Sequence, residues 1–309
     1  MQSALLPRAP AIVKTSESGN TTTVSVFDSN SLQPITQTSA SDGSGVGFAS
    51  SAPSILWFCF CLLFGLPLAL AGIRGRRFTT GAAFGLAFGV CSWAAFINTV
   101  SAPGIADLPL TLIVFAFVFV GSALGMFSLV RVGGMVTLGV VGGLALGVRI
   151  VVVKDDLLVA SVFFVNWLVA SVFGLLGGLL VVTNRRTGIL VCSASAGTFL
   201  AGLGADLIVN QQDGLSRGYR FLFDRNTSHL TDLLVHGYHP PVSAQINIAV
   251  SISLIPLLAY LQHRLFPNEF SSTRPESVVL NDANLADSEK PRSDARAPLS
   301  SEPVSRFSL

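Results

Sequence analysis

Seven apolar stretches, each long enough to cross a bilayer, follow one another between Ser54 and Gln262. A helical span needs roughly 20 apolar residues to cover about 30 Å of hydrocarbon. Only twelve charged residues fall between Ser54 and Leu207, and they gather in short clusters between uncharged runs. Charged residues make up 12% of the chain, against roughly 25% in a soluble domain. One soluble core cannot absorb so many apolar stretches, so they are read as membrane spans. Hydrocarbon offers no partner to an open backbone group, so every span is expected to be a helix.

The spans read as Ser54–Ile73, Thr79–Val100, Leu108–Val130, Val132–Val148, Leu157–Val182, Thr187–Ile208 and Val242–Gln262. The fourth is short and extends through Val153 if Arg149 snorkels towards the interface. The expected class is therefore all-α, a polytopic membrane bundle of seven helices. Residues 1–53, rich in Ser and Thr, read as a disordered extracytoplasmic tail. The membrane domain occupies 54–265, and residues 266–309 read as a disordered cytoplasmic tail. No ordinary secretory signal opens the chain: Ala4-Leu5-Leu6 is cut short by Pro7 before an apolar core can form. Either the first span serves as the targeting signal or the original start is missing.

Orientation follows from two separate sets of residues. Short turns after the first, third and fifth spans carry Arg74, Arg76, Arg77, Arg131, Arg185 and Arg186, whereas those after the second and fourth carry only Arg149 and Lys154. Basic loops stay in the cytoplasm. Asn20-Thr21-Thr22 and Asn226-Thr227-Ser228 fit the glycosylation acceptor pattern, and parity puts both on the opposite side. The N-terminus is thus expected outside, the C-terminus in the cytoplasm, and the protein in the secretory pathway or plasma membrane.

Arg77, Arg131 and Arg186 recur 54 and 55 residues apart, each between an odd and an even span. Counting forward, Gly85 and Gly89 match Gly139 and Gly143, then Ala194 and Thr198. This reads as three helical hairpin repeats plus one helix, related about an axis along the membrane normal. Chance recurrence of Gly and Arg in a polytopic chain is the competing reading. Gly81, Gly85 and Gly89 lie four apart, as do Gly139, Gly143 and Gly147. Each trio lines one helix face and lets a neighbouring backbone come close; a glycine-lined solute path is the alternative.

The Gly65-Leu66-Pro67 segment leading to Arg74-Gly75-Arg76-Arg77, then Thr80-Gly81-Ala82-Ala83-Phe84-Gly85, Gly139 to Gly147 and Ala205-Asp206 carry a resemblance. Together with the order of seven spans, they resemble the seven-helix domain shared by transmembrane protein 198 and transmembrane 7 superfamily member 3. The likeness covers roughly residues 54–265. It implies a multipass membrane protein, and no catalytic residue transfers with it.

Ionisable groups inside a membrane are functional candidates by default. Asp206, in the last turns of the sixth span, is the one such carboxylate, and Arg149 at the outer end of the fourth is its expected partner. Asn98, Gln245 and Asn247 lie towards the same side and would join them around an outward polar vestibule. Asn166 reads as a mid-span, interhelical hydrogen-bonding residue. His229, His236 and His239, with Asp232, cluster without a metal-ligand spacing. Cys59, Cys61, Cys91 and Cys192 all sit in apolar stretches and read as small buried hydrophobes. The seventh span has no lysine for a retinal Schiff base, and no HExxH pattern occurs.

The expected function is that of a non-enzymatic scaffold, receptor-associated or trafficking component without a cofactor or metal. Its expected partners are the lipid bilayer and membrane proteins that bind the Gly-rich helices or the C-terminal tail. A net charge of +2 gives nucleic acid no purchase. The alternative is a channel or transporter with a solute path between the hairpins. A polar, hydrated cavity distinguishes the second reading from the first.

Overall fold

The computed structural model describes residues 11–18, 21–38, 42–45, 51–99, 105–159 and 162–266. Seven of its helices are long and apolar enough to cross a membrane. They are α1 (Ala52–Ala71), α2 (Arg76–Thr99), α3 (Asp107–Met126), α4 (Arg131–Val151), α5 (Phe163–Thr183), α6 (Arg185–Val209) and, last, α9 (Val242–Leu265). Two short helices, α7 (Leu215–Phe223) and α8 (Leu230–His236), lie between α6 and α9. Large apolar side chains such as Leu63, Phe119, Leu175 and Leu179 are exposed on the outer faces of the spans. That places them where lipid, rather than water, is the solvent.

Two of the three main packing pairs join helices adjacent in sequence, and the third joins the first helix to the sixth. The closest pairs are α2 with α3, α4 with α5, and α6 with α1, while α4 also touches α2 and α6. The even helices therefore sit inside, each backed by one odd helix, and α9 packs on α6. Glycines set these pairings. A Cβ on Gly89 would lie 2.6 Å from Val118 Cγ2, one on Gly143 2.8 Å from the Phe173 carbonyl carbon, and one on Gly197 2.7 Å from the Gly65 carbonyl oxygen. No side chain fits at such distances. These three crossings are 54 residues apart in both steps, so the third copy is in register with Arg185 rather than Arg186. Ser193 and Gly197, and not Ala194 and Thr198, occupy the equivalent positions.

Gly81 and Gly85 face Ser122 and Val118 of α3, and Gly139 and Gly147 face Gly177 and Ala170 of α5. Dispersion between closely approaching backbones is the main attraction available in lipid. At the arginine-bearing ends, α2 and α4 converge: a Cβ on Gly134 would be 2.8 Å from Thr80 Cβ.

Three stretches differ from the sequence expectation. The N-terminal segment is not wholly without structure: β1 (Ala11–Ser18) and β2 (Thr21–Asp28) pair as an antiparallel hairpin. Its β-branched run Thr21-Thr22-Thr23-Val24 is a strand signal that low charge obscures. Residues 42–45 are buried. The fifth span starts at Phe163 rather than Leu157, because 152–159 leaves the helix and turns through Asp156 and Leu157, both at positive φ. The polar stretch after α6 is ordered into α7 and α8 and contributes Leu215, Tyr219, Leu222 and Tyr238 to a buried cluster. It forms a lid over the bundle at the end opposite Arg74, Arg131 and Arg185. Of residues 266–309, read as the cytoplasmic tail, all but Phe266 lie outside the described residues, as does Asn20.

Candidate functional site

A cavity of about 640 Å³ lies between α2, α4 and α6, with α7 at its lid end. Its walls are almost entirely apolar and strongly aromatic, with Trp57, Phe60, Trp93, Trp167, Phe199 and Phe223 among the lining residues. Water does not settle in apolar cavities, so a space like this calls for an apolar occupant.

The lid end of the cavity is closed by protein. Asp42 and Ser44 line it, anchored by Trp93 Nε1 donating to the Asp42 carbonyl at 2.9 Å and by Ser216 donating to the Asp42 carboxylate. Thr111 donates to the Gly43 carbonyl at 2.5 Å, and Gln212 donates to Ser44 and to the Gly45 carbonyl. The side between α2 and α4 is different. Val90 is 48% exposed and Cys91 is exposed, yet both line the cavity. Half-buried Val136 and Val140 face them from α4. The cavity thus opens sideways, towards lipid.

Tyr219 and Trp167 line the cavity, and their Oη and Nε1 atoms are fully buried within the protein without a hydrogen-bond partner. Both rings are held in an aromatic cluster, Trp167 against Phe223 at 4.8 Å and Tyr219 against Phe199 at 5.5 Å. Burial pushes the Tyr219 phenol well above its ordinary range, so it remains a neutral donor.

Beside the cavity, across the Phe199 ring, lies Arg149. It is 1% exposed, and its guanidinium stacks 5.7 Å from that ring. All five of its N–H groups are accounted for. Nε donates to the Ala145 carbonyl at 2.9 Å, and Nη1 donates to Thr198 Oγ1 at 3.1 Å and Ser251 Oγ at 3.2 Å. Nη2 donates to the Ser195 carbonyl at 2.7 Å and to Ser195 Oγ at 2.9 Å. Helical rise puts these acceptors about 15–21 Å from the arginine-bearing ends of their helices, near the middle of the bilayer. Arg149 therefore turns inward and does not snorkel. An arginine side chain in a helix points back towards the N-terminus, and here three hydroxyls wait there.

The expected Arg149–Asp206 pair does not form. Asp206, 1% exposed, accepts from Asn210 Nδ2 at 2.7 Å and from the Leu215 backbone N–H at 2.6 Å. That N–H opens α7, so the carboxylate caps a helix other than its own, where an anion is favoured. Asn247 lies beside it and donates to the Gly202 carbonyl at 2.7 Å. Asn98 is elsewhere, clamping α7 to α2: its amide donates to the Phe223 carbonyl at 3.0 Å and accepts from Arg225 N–H at 2.7 Å. Gln245 is half-buried on α9 and takes part in none of these side-chain bonds. The polar vestibule is thus replaced by separate ties that hold the lid.

Asn166 also departs from expectation. It lies in the first turn of α5 and pairs with both backbone groups of Val159, at 3.0 and 2.9 Å, inside the preceding turn. Asn226, the expected glycan acceptor, is 8% exposed, and its amide donates to the Ile97 carbonyl at 3.3 Å and caps Ser228 N–H at 3.0 Å. A glycan on that nitrogen is incompatible with this packing. His229 lies 2.7 Å from the Asp224 carboxylate and His239 lies 3.7 Å from that of Asp155. Among the described residues no group of His, Cys, Asp and Glu is arranged to hold a metal.

Gln262 was not singled out from sequence. Fully buried on α9, it donates to the Leu68 and Ala69 carbonyls at 3.3 and 2.7 Å, near the end of α1. An amide in an otherwise apolar span is its signal. Tyr219 and Trp167 offered none, since an aromatic residue is at home in any membrane protein.

The sequence model of the TM7S3/TM198-like domain matches residues 58–263, which run from within α1 to within α9 and include the lid. The chain belongs to that family. With that match and its seven apolar helices, the chain is an integral membrane protein. Neither the curated proteins nor the solved structures compared with the chain give a match.

Proposed function

We propose that this family member is a non-enzymatic membrane component of the secretory pathway or cell surface that works by association. It serves as a scaffold, receptor-associated or trafficking protein. The carrying observation is the character of its interior: the cavity between the even helices is apolar, and Arg149, Asp206 and Asn247 are each hydrogen-bonded to a neighbouring helix or to the lid. A hydrophilic solute crossing this bundle would find no continuous line of free polar groups to replace its hydration. Asp206, which a channel reading puts at the mouth, is occupied in capping α7.

In this reading the lid end faces the lumen or exterior and the arginine-bearing turns face the cytoplasm, by the bias of basic residues in short loops. Asn20 is the remaining glycan acceptor. Partners dock on exposed spans or on the Ser-rich C-terminal tail, where phosphorylation would add recognisable charge.

Purified protein reconstituted in sealed vesicles tests the choice. The expected ion and small-solute flux equals that of empty vesicles. Flux well above that background, lost in Asp206→Asn protein that inserts normally, would establish the channel reading instead.

A further inference from the structure

The arginine-bearing end of the bundle has no acidic counterpart. To the six arginines of the short turns α9 adds Arg264, and residues 65–84, 119–140, 175–196 and 253–266, which build that end, contain no Asp or Glu. The bias of basic loops accounts for the side on which these arginines lie, but not for how two of them converge. Gln262 pins α9 against the end of α1, donating to the Leu68 and Ala69 carbonyls and accepting from the Ile73 N–H at 3.4 Å. One turn later, Phe266 is shared by two guanidiniums. Arg74, from the end of α1, stacks 5.7 Å from its ring, and Arg186, from the start of α6, donates Nη2 to its carbonyl at 3.3 Å. Arg74 is exposed and its side chain has no hydrogen-bond acceptor among the described residues; Arg186 has that one alone. Like charges gathered at one residue repel unless an anion joins them.

We propose that the meeting point of α1, α6 and α9 binds the head group of a membrane phospholipid that carries a phosphomonoester, phosphatidic acid or a phosphoinositide, held by Arg74 and Arg186. The guanidinium fork matches phosphate oxygens and pairs with them bidentately. A phosphomonoester carries about −1.5 to −2 charge at pH 7, which two arginines balance. The heads of phosphatidylcholine, phosphatidylethanolamine and phosphatidylserine each contain an ammonium, and this end offers it no carboxylate among the described residues. A lipid is favoured over a free phosphate because exposed Leu70 and Leu261, one turn deeper than Arg74 and Arg264, leave apolar surface for acyl chains beside the head group. The orientation argued above enters only in the choice of leaflet: with the arginines cytoplasmic, the site meets the anionic one.

The test titrates full-length protein in detergent micelles with dioctanoyl forms of phosphatidylcholine, phosphatidylserine, phosphatidic acid and phosphatidylinositol monophosphate, and counts bound lipid by native mass spectrometry. Micelles leave both ends of the bundle open, so the outcome is independent of orientation. Phosphatidic acid or the phosphoinositide is expected to bind about tenfold more tightly than the first two, and the tighter of the pair names the head group. Its deacylated head group, in a separate arm, is expected to bind more weakly than the lipid. Arg74→Gln and Arg186→Gln are each expected to weaken binding about tenfold, the effect of a lost charge-assisted bond. Arg131→Gln removes the same charge elsewhere at that end and should change binding less than about twofold. Arg74 is exposed, so its variant should melt as wild type does and decides the matter alone if Arg186→Gln fails to assemble. Equal affinity for all four lipids, equal binding of the deacylated head group, or equal weakening by all three variants would overturn the proposal. So would binding that emerges only in Glu269→Gln protein, since the chain's own carboxylate would then be the anion.

Discussion

Arg149 grips Ser195 twice, its Nη2 donating to the backbone carbonyl at 2.7 Å and to the side-chain oxygen at 2.9 Å. With Thr198 and Ser251 the same guanidinium joins α4, α6 and α9 at mid-membrane depth. A cation in hydrocarbon is costly, and here the cost is met by geometry, with neutral acceptors at every donor.

This arrangement ranks two substitutions. Lysine keeps the charge but has three donors for five acceptors. Methionine removes the charge, and the hydroxyls it abandons have second partners: Ser195 donates to the Gly142 carbonyl, Thr198 to Ser195 and Ser251 to Ile248. Arg149→Lys is therefore expected to destabilise the bundle more than Arg149→Met, by about 1–3 kcal/mol. Thermal melting of both variants in nanodiscs gives the order; a lysine variant as stable as wild type would refute it.

The glycine crossings separate two otherwise similar changes. A Cβ at position 143 would meet the Phe173 carbonyl carbon at 2.8 Å, but one at position 133 has Phe84 Cζ at 3.8 Å, an ordinary contact. Gly143→Ala should lower yield and melting temperature sharply, by roughly 1–3 kcal/mol or more, while Gly133→Ala should melt within about 0.5 kcal/mol of wild type. Detergent thermal-shift curves distinguish them. Equal behaviour would mean that backbone contact does not set the pairing of α4 with α5.

Asp206 controls the lid through the first N–H of α7. Asp206→Ala leaves that buried donor unsatisfied, a loss of about 1–3 kcal/mol. Asn in its place still offers an acceptor and should lose less. Hydrogen exchange of residues 206–223 should accelerate in the order wild type, Asn, Ala. Identical protection in all three would show that the lid is held by packing alone.

Asn226 makes the sharpest departure from its sequence motif. With its amide buried against the Ile97 carbonyl, the protein isolated from cells should carry an unmodified Asn226 on intact-peptide mass spectrometry. Asn226→Asp should destabilise the lid by about 1 kcal/mol. A fully occupied glycan at this site in natively folded protein would contradict the packing.

The membrane architecture was readable because an uncharged 20-residue run has few other ways to fold, and the arginines mark where each run ends. The Arg77–Arg131 spacing also carried the internal repeat, but the tandem Arg185-Arg186 hid its third register by one residue. What escaped was everything set by direction. Arg149 lies near the end of α4, and sequence position alone sends it to the interface, whereas the tilt of the Cα–Cβ bond and the hydroxyls of α6 and α9 draw it inward. Asp206 and Arg149 are the charged groups near those helix ends, which made them an obvious pair; a backbone donor from a short, polar segment won instead.

The pairing of α1 with α6 bears on how the chain is made. Gly65 and Gly197 meet across 132 residues of sequence, which a ribosome covers in roughly 7–26 s at ~5–20 residues per second. The helix α1 is thus left without its main neighbour until those residues have been synthesised. The translocon, or a chaperone within the bilayer, must keep it from pairing wrongly in the interval.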